Sequence, residues 1–182
     1  MKIFGFTSAL VLLLIGPAQA QDSDAEDLSR YEIIEEGETI KTLFELQEME
    51  DTYKKLVAAE NCSAALPKIV EFYEAANIVS NVIRRGNEPY YDARLDRQKE
   101  LKNDWRLFQE LSAAESTSDK LFRQRNRAWV VEAKCLLTQG EESEAITRLY
   151  RALDYISAND LVLWAEARSL LWEQVGFKAR NE

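Results

Sequence analysis

The sequence predicts an all-α fold of antiparallel helical hairpins, with about five to six helices in all. Three observations carry this. Apolar residues recur at three- and four-residue spacing through most of the chain after residue 39, glycines and capping residues break those stretches at hairpin length, and no segment shows the two-residue alternation of a strand.

Taken in order, the chain opens with Lys2, an apolar run over 4–15, and then Gly16, Pro17 and Ala18-Gln19-Ala20. This is the three-part pattern of a secretory signal, so 1–20 is expected to be a signal peptide cleaved after Ala20. The run is shorter than the roughly 20 residues a permanent span needs. A periplasmic or secreted protein is therefore expected, with no stable membrane insertion after cleavage. Residues 21–38, QDSDAEDLSRYEIIEEGE, are acidic and almost free of apolar periodicity, and read as a flexible arm. The stretch 39–182 is long enough for one helical domain with its own core.

Within that domain, Ile40, Leu43, Phe44, Leu46, Met49, Tyr53, Leu56 and Val57 lie on one helical face over 39–60. Asn61 or Ser63 caps a second helix, in which Pro67 is placed in the first turn. This helix carries Leu66, Ile69, Val70, Phe72, Tyr73, Ala76, Val79, Val82 and Ile83 to Gly86, read as a left-handed cap. The two form an antiparallel hairpin. Residues 90–100 are charged, and a helical stripe returns at Leu101, Trp105, Phe108 and Leu111. Ser116-Thr117-Ser118-Asp119 offers capping groups for a helix over about 120–139, with Phe122, Trp129, Ala133 and Leu136 facing inward. Gly140 ends it. Glu141, Glu142 and Glu144 suit the start of the next helix, which carries Ile146, Leu149, Leu153 and Ile156, and a last helix runs from Leu161 to about Gln174.

Composition bounds the chemistry. A net charge of −9 argues against general nucleic-acid binding, since phosphate would be repelled. The absence of histidine removes Ser-His-Asp and Cys-His catalysis and the commonest metal ligand. Two cysteines, Cys62 and Cys135, read in an exported chain as a disulfide, the alternative being two buried thiols; two cysteines alone build no metal site. No phosphate loop or nucleophile elbow is present, so neither metal nor cofactor is expected. Catalysis would rest on carboxylate clusters such as Glu48, Glu50 and Asp51 or Glu141, Glu142 and Glu144, which helix solubility and dipole effects also explain. Tyr90 and Tyr91, beside Pro89, form either a contact edge or a plug that tucks a loop onto the domain.

The segment 126–159 is built around the turn glycine Gly140. Trp129 stands at an early aromatic position, Ala133 and Ala145 at small positions where two helices touch, Leu149 at a large apolar site, and Ala152-Leu153 at the close. In these positions it resembles a tetratricopeptide repeat, a 34-residue helix-turn-helix unit. Glu132 and Leu136 depart from the pattern, where leucine and tyrosine are usual, and Ser157 replaces a closing proline. Trp164 and Leu171 then suggest a capping helix over 160–176. The hairpin 39–86 has the right length but matches only loosely.

The resemblance implies a right-handed array whose first helices line a concave surface for an extended peptide or partner helix. On 120–139, Arg123, Arg127, Val130, Lys134 and Leu137 share one stripe. By the resemblance, Arg127, Val130, Lys134 and Thr138 occupy or flank ligand-facing positions, suited to an acidic peptide. The other reading is ordinary solvated charge, or a stripe covered by the chain's own acidic arm. The functional expectation is a non-catalytic interaction module binding a protein or peptide in the cell envelope. The alternative is a small carboxylate-based envelope hydrolase, or a secreted inhibitor of one. The sequence leaves the oligomeric state open.

Overall fold

The computed structural model describes residues 39–178. The expected signal at 1–20 and the acidic arm at 21–38 lie outside them. Among the described residues there are seven helices and no strand: α1 (Leu43–Ala58), α2 (Cys62–Arg85), α3 (Glu88–Tyr91), α4 (Leu95–Asn103), α5 (Trp105–Gln139), α6 (Glu142–Tyr155) and α7 (Leu161–Gln174). None is long and apolar enough to cross a membrane.

Thr42 starts α1 through a reciprocal cap. Its hydroxyl accepts from the Glu45 backbone N–H at 3.2 Å, and its own N–H donates to the Glu45 carboxylate at 2.7 Å. The Thr42 N–H, and then its hydroxyl at 2.8 Å, donate to the Glu45 carboxylate and hold that carboxyl below its ordinary range. Of the two candidate caps for α2, Asn61 is the one used, accepting from Ala64 N–H at 3.2 Å. Pro67 is the sixth residue of α2 and so lies beyond the first turn. It removes the bond that would reach the Ser63 carbonyl, and Ser63 is exposed, where water can serve that oxygen.

The inner face of α2, with Ala65, Ile69, Phe72, Ala76 and Val79, packs on both α1 and α5. Tyr53 of α1 meets Phe72 with ring centres 5.2 Å apart. Cys62, the first residue of α2, is disulfide-bonded to Cys135 of α5, with Cα atoms 5.1 Å apart. The pairing read from the two cysteines is thus present, and it ties the first hairpin to the second.

Two expectations at the α2–α5 junction need correction. Gly86 closes α2 with φ −59°, an ordinary right-handed value rather than a left-handed cap, and the chain runs on into α3. The helix break expected at 116–119 does not occur. Asp104 caps α5 instead, accepting from Arg106 and Leu107 N–H, and α5 continues without interruption from Trp105 to Gln139. The hydroxyls that looked like caps are satisfied otherwise: Thr117 donates to the Ala113 carbonyl at 2.8 Å, and Ser118, fully buried, donates across to the Ser80 carbonyl of α2 at 3.1 Å. A small side chain at each of these two serines lets α2 and α5 cross closely. Tyr91 does tuck its segment onto the domain, because its hydroxyl donates to Glu115 of α5 at 2.6 Å. That bond pushes its phenol up to about 12.

The second hairpin turns at Gly140, whose φ of +80° needs the left-handed freedom of glycine. Between its arms, Ala133, Ala145, Leu149 and Ala152 have no exposed surface, and Trp129 is buried beside them. Small side chains here let α5 and α6 approach, as their spacing suggested. Leu163 and Ala167 are the buried residues of α7, which packs on α6. An all-helical array of this kind fits a helical repeat-like protein.

Candidate functional site: an arginine and aromatic groove

A groove of about 630 Å³ opens where α2, α5 and α6 meet. Tyr73, Glu74, Asn77, Asn81 and Arg84 line it from α2, Phe122, Arg125 and Trp129 from α5, and Arg151 and Tyr155 from α6. Phe122, Arg125 and Trp129 are spaced three and four apart, so one face of α5 presents all three.

At the centre is Arg125, only 7% exposed. Its guanidinium carbon lies 4.8 Å from the centre of the Phe122 ring, 4.6 Å from Trp129 and 5.1 Å from Tyr155. Its Nη1 donates to Asn77 Oδ1 at 2.6 Å, while Nε and Nη2 donate to Asn126 Oδ1 at 3.2 and 3.0 Å. Asn126 in turn donates to the Tyr155 carbonyl at 2.8 Å, fixing the end of α6. Guanidinium offers five donors, so two N–H groups are left without a partner among the described residues. Burial lowers the Arg125 pKa, and the neighbouring positive charge of Arg151 adds to that effect.

The cations continue on either side. Arg151 lies over Trp129 at 5.1 Å and Arg84 over Phe122 at 5.9 Å. The result is a ladder of Arg84, Phe122, Arg125, Trp129 and Arg151, with Tyr73 and Tyr155 meeting Trp129 edge to face at 5.9 and 5.5 Å. Among the described residues none of the three arginines forms an ion pair, and Glu74 is the one carboxylate lining the groove. The groove's polar lining is made of three arginines, two asparagines, two tyrosines and Glu74. What it offers is N–H donors and positive charge in a partly dry setting, where binding of an oxyanion is strengthened.

The stripe expected to meet a partner is arranged differently. Arg127 faces Asp160 at 3.9 Å, and Lys134 pairs with Glu166, so both hold α7 against α5. Val130 is 1% exposed and belongs to the core, because the α5 surface at that point is covered. Thr138 donates to the Cys135 carbonyl at 2.7 Å, and Arg123 is exposed. The stripe residues thus share a face, but they do not converge on a cavity.

Carboxylate clusters are likewise dispersed. Glu50 is buried, paired with Lys54 at 2.7 Å and accepting from Gln124 of α5 at 2.6 Å, while Asp51 accepts from Gln47. Glu141, Glu142 and Glu144 surround the start of α6. Glu132, a departure from the repeat pattern, is buried against Arg148 of α6, with Nε and Oε2 2.8 Å apart. Burial raises its pKa despite that partner. No group of three His, Cys, Asp or Glu able to hold a metal ion occurs among the described residues.

Sequence reasoning missed the groove, singling out none of Arg84, Arg125 and Arg151. One signal was available: Arg125 falls midway between Phe122 and Trp129 on a stripe already assigned to the interior. The α2 and α6 walls have no local signature. Comparison with protein-family models, with curated proteins and with solved structures finds no match for the chain.

Proposed function

We propose that the chain is an exported, non-catalytic interaction module of the cell envelope, built as a tetratricopeptide-like helical array. Its α2–α5–α6 groove receives an acidic segment of a partner protein. The observation that carries this reading is Arg125, a cation 93% removed from solvent by the same burial that leaves it 7% exposed, with no carboxylate beside it. Burying an unpaired charge costs several kcal/mol before compensation. Aromatic faces and two asparagine oxygens offset part of that. A purely architectural role would be served as well by an apolar side chain, whereas a partner's carboxylate would use the remaining donors. Arg127 and Lys134, engaged with α7, support the array; Arg123 stays at its exposed edge.

The test is calorimetric titration of the mature chain with an acetylated, amidated Glu-rich hexapeptide, against its Gln counterpart. The acidic peptide alone is expected to bind, more weakly as salt rises. Arg84→Glu with Arg151→Glu should abolish binding, while Arg127→Glu with Lys134→Glu should weaken the seating of α7 and leave binding by the folded protein intact. The opposite pattern would move the site to the stripe. Export is checked by fractionation and N-terminal sequencing, with Gln21 as the expected first residue.

A further inference from the structure

Neighbouring cations of the ladder share a ring: Arg84 and Arg125 both lie on Phe122, and Arg125 and Arg151 both lie on Trp129. Each shared ring fixes a maximum separation, so adjacent guanidinium groups are no more than about 11 Å apart, with three in sequence. An extended chain advances about 3.3 Å per residue and turns every second side chain to the same side. Carboxylates at alternate positions then stand about 7 Å apart on one edge, within reach of successive rungs once side-chain length is allowed for.

From Tyr73 to Arg84 the α2 wall covers 11 helical steps, or about 16 Å, the length of about five extended residues. Five residues with acids at the first, third and fifth positions match three rungs. A helical ligand fits less well: it is about 10 Å wide with its side chains, broad for a groove of this volume.

Resting on the reading of this groove as an acidic-peptide site, we infer that it recognises an extended segment with acidic side chains at alternate positions, acid-x-acid-x-acid, and discriminates by spacing rather than by total charge. Arg125 takes the central carboxylate, and Arg84 and Arg151 take the outer two.

The experiment uses isomeric pentapeptides, acetylated and amidated so that only side-chain carboxylates carry charge. Glu-Thr-Glu-Thr-Glu is compared with Glu-Glu-Glu-Thr-Thr, and with Glu-Thr-Glu-Thr-Thr as a two-acid reference, by titration into the mature chain at fixed salt. The alternating peptide should bind at least about tenfold more tightly than its block isomer of equal charge. Arg84→Gln, at an exposed position, should bring the alternating peptide down to the two-acid reference, with circular dichroism and melting temperature unchanged. Equal affinity for the two isomers would overturn the spacing inference and leave the groove reading standing. No binding of any acidic peptide would overturn both. Loss of binding in Arg125→Gln counts only with an intact melting transition, and the Arg84→Gln result decides the matter if that variant fails to fold.

Discussion

Replacing both cysteines, Cys62→Ala with Cys135→Ala, tests how the two hairpins are held together. The bridge spans 73 positions of sequence. In the chain-entropy account, a closed loop of that size removes about 4.4 kcal/mol of freedom from the unfolded chain at 25 °C. Cys135 is buried, so the alanine there also loses packing worth up to about 1 kcal/mol. The expected loss is therefore about 4 to 5 kcal/mol, a large part of the 5 to 15 kcal/mol typical of a domain. At about 3 °C per kcal/mol for a chain of this size, the melting temperature should fall by about 13 °C. Urea unfolding followed by circular dichroism, with and without reductant, measures the difference; reduced wild-type protein should approach the double variant. A shift under about 1 kcal/mol would refute the reasoning, as would two alkylatable thiols in oxidised, denatured protein from the exported fraction. Cys135 lies 10 residues from Arg125 along α5, about 15 Å, so peptide binding by still-folded reduced protein should survive.

Three further outcomes follow from particular contacts. Gly140→Ala should cost about 1 to 2 kcal/mol in urea unfolding through its φ of +80°, because open space around the glycine leaves no clash to contribute; Gly140→Asn should cost less. Ser118→Val should cost about 1 to 3 kcal/mol by forcing α2 and α5 apart, whereas Asp119→Ala, exposed on an uninterrupted helix, should stay within about 0.5 kcal/mol. Glu132 has a folded pKa raised above the ordinary carboxyl value of 4.5, so its contribution to stability is fully present below that value and is lost as pH rises through the folded pKa. Comparing wild type with Glu132→Gln at pH 4.5 and 7 should show the wild type gaining relative to the variant at the lower pH; an unchanged difference would contradict the burial argument.

Where a signal is local, the sequence carried it well. Asn61 begins a helix through its own side-chain oxygen and Gly140 ends one through its left-handed backbone, and Ala133, Ala145 and Ala152 mark a close helix crossing by size alone. The errors occurred where a tertiary partner decides. Ser118 looks like a cap because its hydroxyl can bond the local backbone, yet the Ser80 carbonyl, 38 positions away, takes that hydroxyl and lets α5 continue. Gly86 looks like a left-handed stop, but glycine also permits the right-handed value it adopts. The groove is the strongest case. Arg125 had a visible oddity, a charge on an apolar stripe, but Asn77, Arg84, Arg151 and Tyr155 come to it from two other helices.

Arg125 and Arg127 are two positions apart on the same helix, and their different surroundings bear on function. Arg127 is exposed and faces Asp160, the ordinary situation of a cation at a helix–helix seam, where an exposed pair is worth at most about 1 kcal/mol. Arg125 is buried, where pairing would matter far more, and its oxygens come from neutral amides. If cations on α5 served only solubility, the buried one would be the wrong place for one. If they served only architecture, the buried one is where a carboxylate would be needed, and Glu132, two turns along, shows that this fold does bury a carboxylate against an arginine. A guanidinium kept dry and oriented, with two donors remaining and like charges on both sides, is the arrangement on which the proposed binding of an outside carboxylate rests.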